Sequence, residues 1–155
     1  MTEQAEEVDF RETLGKSQVS LHLESDTKLG IIKEMVKMMA DAGAVSDPEG
    51  VEAAILEREN KMSTGMQQGV ALPHGKTDAV SELVTAVGLK KEGVDFGSLD
   101  GEASKIFIMT VSRRDSTGPH IEFLAEISKV LNNPALRGKI LAASSREELL
   151  KVLTG

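Results

Sequence analysis

His74 stands between Pro73 and Gly75 near the end of the run KMSTGMQQGVALPHGKT, which spans Lys61 to Thr77. Val70, Ala71 and Leu72 make a short apolar stretch with Gly65 and Gly69 upstream and Pro73 and Gly75 downstream, the pattern of a brief buried strand entering a tight turn. Stiff backbone at a strand end aims an imidazole. An aimed imidazole with a pKa near neutrality can serve as base, metal ligand or nucleophile.

Two further residues have the chemistry to join it. Arg58 falls on the inward stripe Val51, Ala54, Ile55, Arg58, Met62 of a helix that starts near Ser46-Asp47-Pro48-Glu49. A guanidinium there either meets an anion or carbonyls, or runs its stem along the core edge and keeps its head in water or against Glu57 or Glu59. His120 heads the stripe Phe123, Leu124, Ile127, Leu131 at the start of another helix. A helix N-terminus disfavours imidazolium and favours a bound anion, although the same pattern also fits a histidine that plugs the top of the core. The third histidine, His22, alternates with Val19, Leu21 and Leu23 in a half-buried strand over Gln18 to Leu23 and belongs to its polar side.

Composition removes several other chemistries. The chain has 155 residues, no Cys, no Trp, no Tyr and a net charge of -7. A disulfide, a thiolate nucleophile and a zinc–thiolate site are therefore excluded. Phosphate backbones and acidic membranes are repelled, and there are too few aromatic faces to stack on bases, so nucleic acid is not an expected partner. HGKT invites a phosphate-loop reading, but that motif needs glycine where Val70 stands, and Pro73 lacks an N–H the cradle would use. The histidines lie in separate elements with no carboxylate pair at ligand spacing, so no metal is implied, and no nucleophile elbow of G-x-S-x-G type occurs. What remains suits a transferable phosphoryl group, with one imidazole attacking phosphorus while Arg58 and a helix N-terminus stabilise charge on its oxygens.

The elements that must position these groups read as follows. Residues 1–17 are acidic and polar and read as a flexible lead-in, without a signal peptide or a span long enough for a membrane, so a cytoplasmic protein is expected. Residues 18–155 read as one domain. A helix from Thr27 to about Asp41 carries Leu29, Ile32, Met35, Val36 and Met39, and the next has capping-box spacing from Ser46 to Glu49. Leu83 to Leu89 and Ile106 to Val111 read as buried strands, joined by a long polar connection from Lys90 to Glu102. The loop Ser112 to Gly118 delivers Pro119 and His120 to a third helix. Asn133-Pro134 starts a short one, and Ser145 to Glu148 caps the last. Strands alternating with helices predict an α/β fold.

The runs ILEREN, STGMQQGVALPHG, GVDFGSLDG and HIEFLAEISKVL together resemble the enzyme IIA domains of the bacterial phosphoenolpyruvate-dependent sugar phosphotransferase system, of the fructose, mannitol and nitrogen-regulatory type. The resemblance extends from about Val19 to Leu153. It implies a single domain with a mixed β-sheet sandwiched between helices on both faces. It also implies that His74 takes a phosphoryl group from the histidine-containing phosphocarrier HPr, with Arg58 and His120 flanking the phosphate. The Ser-Thr-Gly loop borders the site in such proteins, which places Ser63 and Thr64 near it, and Gly75 completes the PHG segment. Gln67 stands where members often carry glycine. No cofactor is implied. The acceptor would be a IIB domain in a sugar-specific protein; in the alternative reading the chain is a regulatory module whose protein partners depend on its phosphorylation state.

Overall fold

The computed structural model describes residues 10–155. Its centre is β5 (Ser104–Ser112), paired antiparallel with β4 (Val84–Val94) on one side and parallel with two short strands, β2 (Val70–Ala71) and β3 (His74–Lys76), on the other. β1 (Gln18–Ser20) adds to β4 in parallel, so the sheet is mixed. β5 is buried on both faces, as its near-continuous apolar run requires. Phe107, Met109 and Val111 enter one core; Ile106 and Ile108 enter the other.

The first core is closed by α2 (Lys28–Asp41) and α3 (Pro48–Lys61), through Ile31, Ile32, Met35, Val51 and Ile55. The second is closed by α1 (Phe10–Gly15), α4 (Thr117–Leu131), α5 (Pro134–Ala142) and α6 (Arg146–Thr154). With helices on both faces of one mixed sheet, the expected α/β architecture is present. Among the described residues no helix is long and apolar enough to cross a membrane.

Several local expectations give way to tertiary contacts. Of the lead-in at residues 1–17, the first nine residues lie outside the described residues. The remainder is packed: Leu14 is fully buried, Phe10 sits 5.4 Å from the Phe123 ring, and Arg146 holds the carbonyls of Gly15 and Ser17. The strand expected to reach Leu23 ends at Ser20, and Leu29 at the start of α2 is 47% exposed while Ile31 lies in the core. Ser46 does not cap α3. Its hydroxyl donates to the Ala79 carbonyl, and Asp47 takes the cap by accepting from Gly50 N–H.

The connection expected to begin at Lys90 instead continues β4 to Val94, across a register shift after Leu89. Lys90 tolerates this position because its ammonium reaches Asp26 at 3.2 Å and the Glu24 carbonyl. Finally, His74 does not enter a turn but opens a second strand. Leu72 and Pro73 interrupt the edge, and pairing with β5 resumes at once, with His74 opposite Thr110, Gly75 opposite Val111 and Lys76 opposite Ser112. His22 is exposed, as its alternation predicts.

Candidate functional site

The strand period decides where the site opens. His74 and Lys76 project to the α4 side of β3, as Thr110 and Ser112 do from β5, while Gly75 turns to the opposite face. There a Cβ on Gly75 would lie 3.1 Å from the backbone of Ala54 and Ile55. Gly75 therefore lets β3 lie against α3.

His120 comes from the first turn of α4 and is buried at 4% exposure. Its ring centroid lies 5.2 Å from that of His74, at an interplanar angle of 58°. The two Nδ1 atoms are each tied. His74 Nδ1 lies 2.8 Å from the Leu72 carbonyl oxygen, and His120 Nδ1 lies 2.6 Å from Ser112 Oγ. A carbonyl can only accept, so His74 carries its proton on Nδ1 and presents a bare Nε2. That is the protonation pattern a nitrogen nucleophile needs.

The surroundings disfavour the charged form of both rings. Burial lowers the His74 pKa and the Leu72 carbonyl works against this; Arg58 and Lys76 lower it further, while Glu59 opposes them. His120 is pushed down to about 4, first by burial, then by His74 and Lys76. An imidazole that gives up its charge near two side-chain cations marks a place where positive potential is free to act on an anion.

Of the residues expected at the site, His74, His120 and Arg58 are brought together. Arg58 is half-buried, and its guanidinium donates to the Met62 carbonyl at 2.7 Å, neither to Glu57 nor to Glu59. The buried charge of α3 is its neighbour Glu59, 5% exposed, which accepts from Thr64 N–H at 2.6 and 3.0 Å and from the Thr64 hydroxyl, and pairs with Lys28 at 3.2 Å. Ser63 and Thr64 act as braces. The Ser63 hydroxyl donates to the Phe96 carbonyl and accepts from Gly65 N–H. The Thr64 carbonyl accepts from Leu72 N–H at 3.1 Å, so a chain of bonds runs from Glu59 through Thr64 and Leu72 to His74. Backbone strain near the loop falls not on Gln67 but on Gln68, φ 65°, whose N–H is held by Asp100.

Three residues of this arrangement escaped the sequence reading. Glu59 had a signal, since Val51, Ile55 and Glu59 follow a strict four-residue spacing. Lys76 had one in its alternation with His74; its Nζ now donates to Thr117 Oγ1 at 2.7 Å, at the mouth of α4. Ser112 required knowing that β5 runs on to its last polar residue and faces α4.

Comparison with known proteins fits this geometry. A family model described as the phosphoenolpyruvate-dependent sugar phosphotransferase system, EIIA 2, matches residues 12–155. The fructose-specific EIIA component of Haloferax volcanii is 34% identical over 135 residues, covering 87% of this chain and 88% of that protein. The fructose-specific EIIABC component of Bacillus subtilis is 34% identical over 92% of this chain, which spans only 22% of that protein. In structure, the nitrogen regulatory protein IIA-Ntr from Neisseria meningitidis aligns with a TM-score of 0.85 at 26% identity, covering 92% of this chain and 97% of its own. The chain belongs to the EIIA 2 family of the phosphoenolpyruvate-dependent sugar phosphotransferase system.

Proposed function

We propose that this chain is a cytoplasmic phosphocarrier that holds a phosphoryl group on His74 Nε2. The observation that carries the reading is the Leu72 carbonyl on His74 Nδ1, which leaves Nε2 as a lone-pair nucleophile beside His120 and under the influence of Arg58 and Lys76. The donor is a phosphohistidine protein of the HPr type. Nε2 attacks phosphorus, an N–P bond forms on His74 as the N–P bond of the donor breaks, and the proton stays on His74 Nδ1, hydrogen-bonded to the Leu72 carbonyl, throughout. No proton has to leave the ring.

Arg58, Lys76 and the first turn of α4 offset charge on the phosphoryl oxygens. Few cations suit a carrier, which must stabilise the group without trapping it. The onward acceptor is a IIB domain. The similarity to nitrogen regulatory IIA-Ntr supports a second reading, in which the phosphorylated and free forms engage different regulatory proteins. The chemistry at His74 is common to both.

Incubation with phosphoenolpyruvate, enzyme I and HPr, followed by mass measurement under alkaline conditions that preserve phosphohistidine, tests the reading. One phosphate is expected on His74, and none on His74→Ala. Phosphate on another residue, or on none, would overturn it. Adding a fructose-type IIB domain then separates the two exits: phosphate leaves His74 for a sugar-specific carrier and stays for a regulator.

A further inference from the structure

Ser112 is the last residue of β5, fully buried, and its backbone is pinned because its carbonyl accepts from Thr77 N–H at 2.9 Å. Among the described residues the single hydrogen-bond partner of its Oγ is His120 Nδ1, at 2.6 Å. A hydroxyl has one hydrogen to place. If Nδ1 carried the proton and donated to Oγ, the Ser112 hydrogen would be left without an acceptor in a buried position. If Nδ1 is bare, the hydroxyl donates to it and only lone pairs go unused, which is the cheaper omission.

We infer that Ser112 is a positioning residue that holds His120 in the tautomer protonated on Nε2, so that His120 offers a neutral N–H donor beside the lone pair of His74. The two rings thus have opposite tautomers fixed by opposite kinds of partner. A carbonyl acceptor on one Nδ1 makes its Nε2 a nucleophile; a hydroxyl donor on the other makes its Nε2 a donor. His120 Nε2 has no partner among the described residues, so this N–H is unspent. The lowered pKa of His120 agrees, since the ring then donates without adding a full positive charge that would hold the phosphoryl group too tightly. The use made of the donor rests on the phosphocarrier reading; the tautomer does not.

Long-range 1H–15N correlation spectra of the 15N-labelled protein at pH 7 read both rings directly. The expected pattern is a bare Nδ1 and protonated Nε2 for His120, with the reverse for His74. In Ser112→Ala the His120 pattern should shift toward averaging of the two tautomers, and Ser112→Thr should restore it. HPr-dependent phosphorylation of His74 should slow roughly tenfold in Ser112→Ala, as loss of an orienting partner does elsewhere, and recover in Ser112→Thr. A proton on His120 Nδ1 in the unaltered protein, or a tautomer unchanged by Ser112→Ala in a protein that remains folded, would overturn the inference. The Ser112-dependent tautomer in a protein that takes no phosphate would support it while refuting the phosphocarrier reading.

Discussion

His74 and His120 meet with ring centroids 5.2 Å apart although one opens the short strand β3 and the other lies in the first turn of α4, which follows β5 in the chain. Two imidazolium ions at that spacing would repel, and burial penalises each charge separately. Both rings therefore stay neutral to lower pH than a free imidazole would.

A pH profile of phosphoryl acceptance follows from this. Protonation of Nε2 removes the nucleophile, so acceptance should fall on acidification with a midpoint below the ordinary histidine value of 6.5. With donor phosphorylation kept saturating, the midpoint of the fall in single-turnover rate should lie below pH 6.5. Half-loss at or above 6.5 would contradict the lowered pKa.

Arg58 and Lys76 separate by their reach. Arg58→Ala should slow transfer roughly ten- to hundredfold, at or below the usual loss for one charge-stabilising donor because Lys76 remains. The fold should remain intact, since the guanidinium makes one hydrogen bond, to the Met62 carbonyl. By NMR titration His74 should rise in pKa in Arg58→Ala and in Lys76→Met, but His120 only in Lys76→Met, because Lys76 acts on both rings and Arg58 on His74 alone.

Glu59 is the structural anchor of the same region. Glu59→Ala strips two acceptor oxygens from Thr64 and leaves Lys28 without its carboxylate. Urea denaturation should show a loss of about 2 kcal/mol, the middle of the range for unpaired buried polar groups. A variant as stable as the parent would show that the Thr64 loop does not depend on Glu59.

Thr110 gives the opposite sign. Its hydroxyl is fully buried opposite His74 in the β3–β5 register and has no hydrogen-bond partner among the described residues. Thr110→Val keeps the β-branched shape and removes the orphan group. A gain of about 1 kcal/mol in the same denaturation assay is expected. A loss would mean that the hydroxyl is satisfied in solution.

The sequence by itself determined the composition of the two cores and the identity of the chemical groups. The continuous apolar run from Ile106, the helical stripes of α2 and α4, and the odd placement of Arg58 and His120 on inward stripes were legible, because periodicity is imposed residue by residue along one element. The tertiary structure decided what lies between elements. That Pro73 interrupts an edge strand without ending it depends on β5 offering the next carbonyls and N–H groups in register. That Lys90 stays in a strand depends on Asp26 from another part of the chain. That Glu59, and not Arg58, is the buried charge depends on the Thr64 loop folding back over α3. Above all, the choice of which nitrogen of each histidine is bare belongs to Leu72 and Ser112. Leu72 lies two residues before His74 and Ser112 eight before His120, yet which atom meets each ring is set by the path of the backbone and leaves no trace in local periodicity.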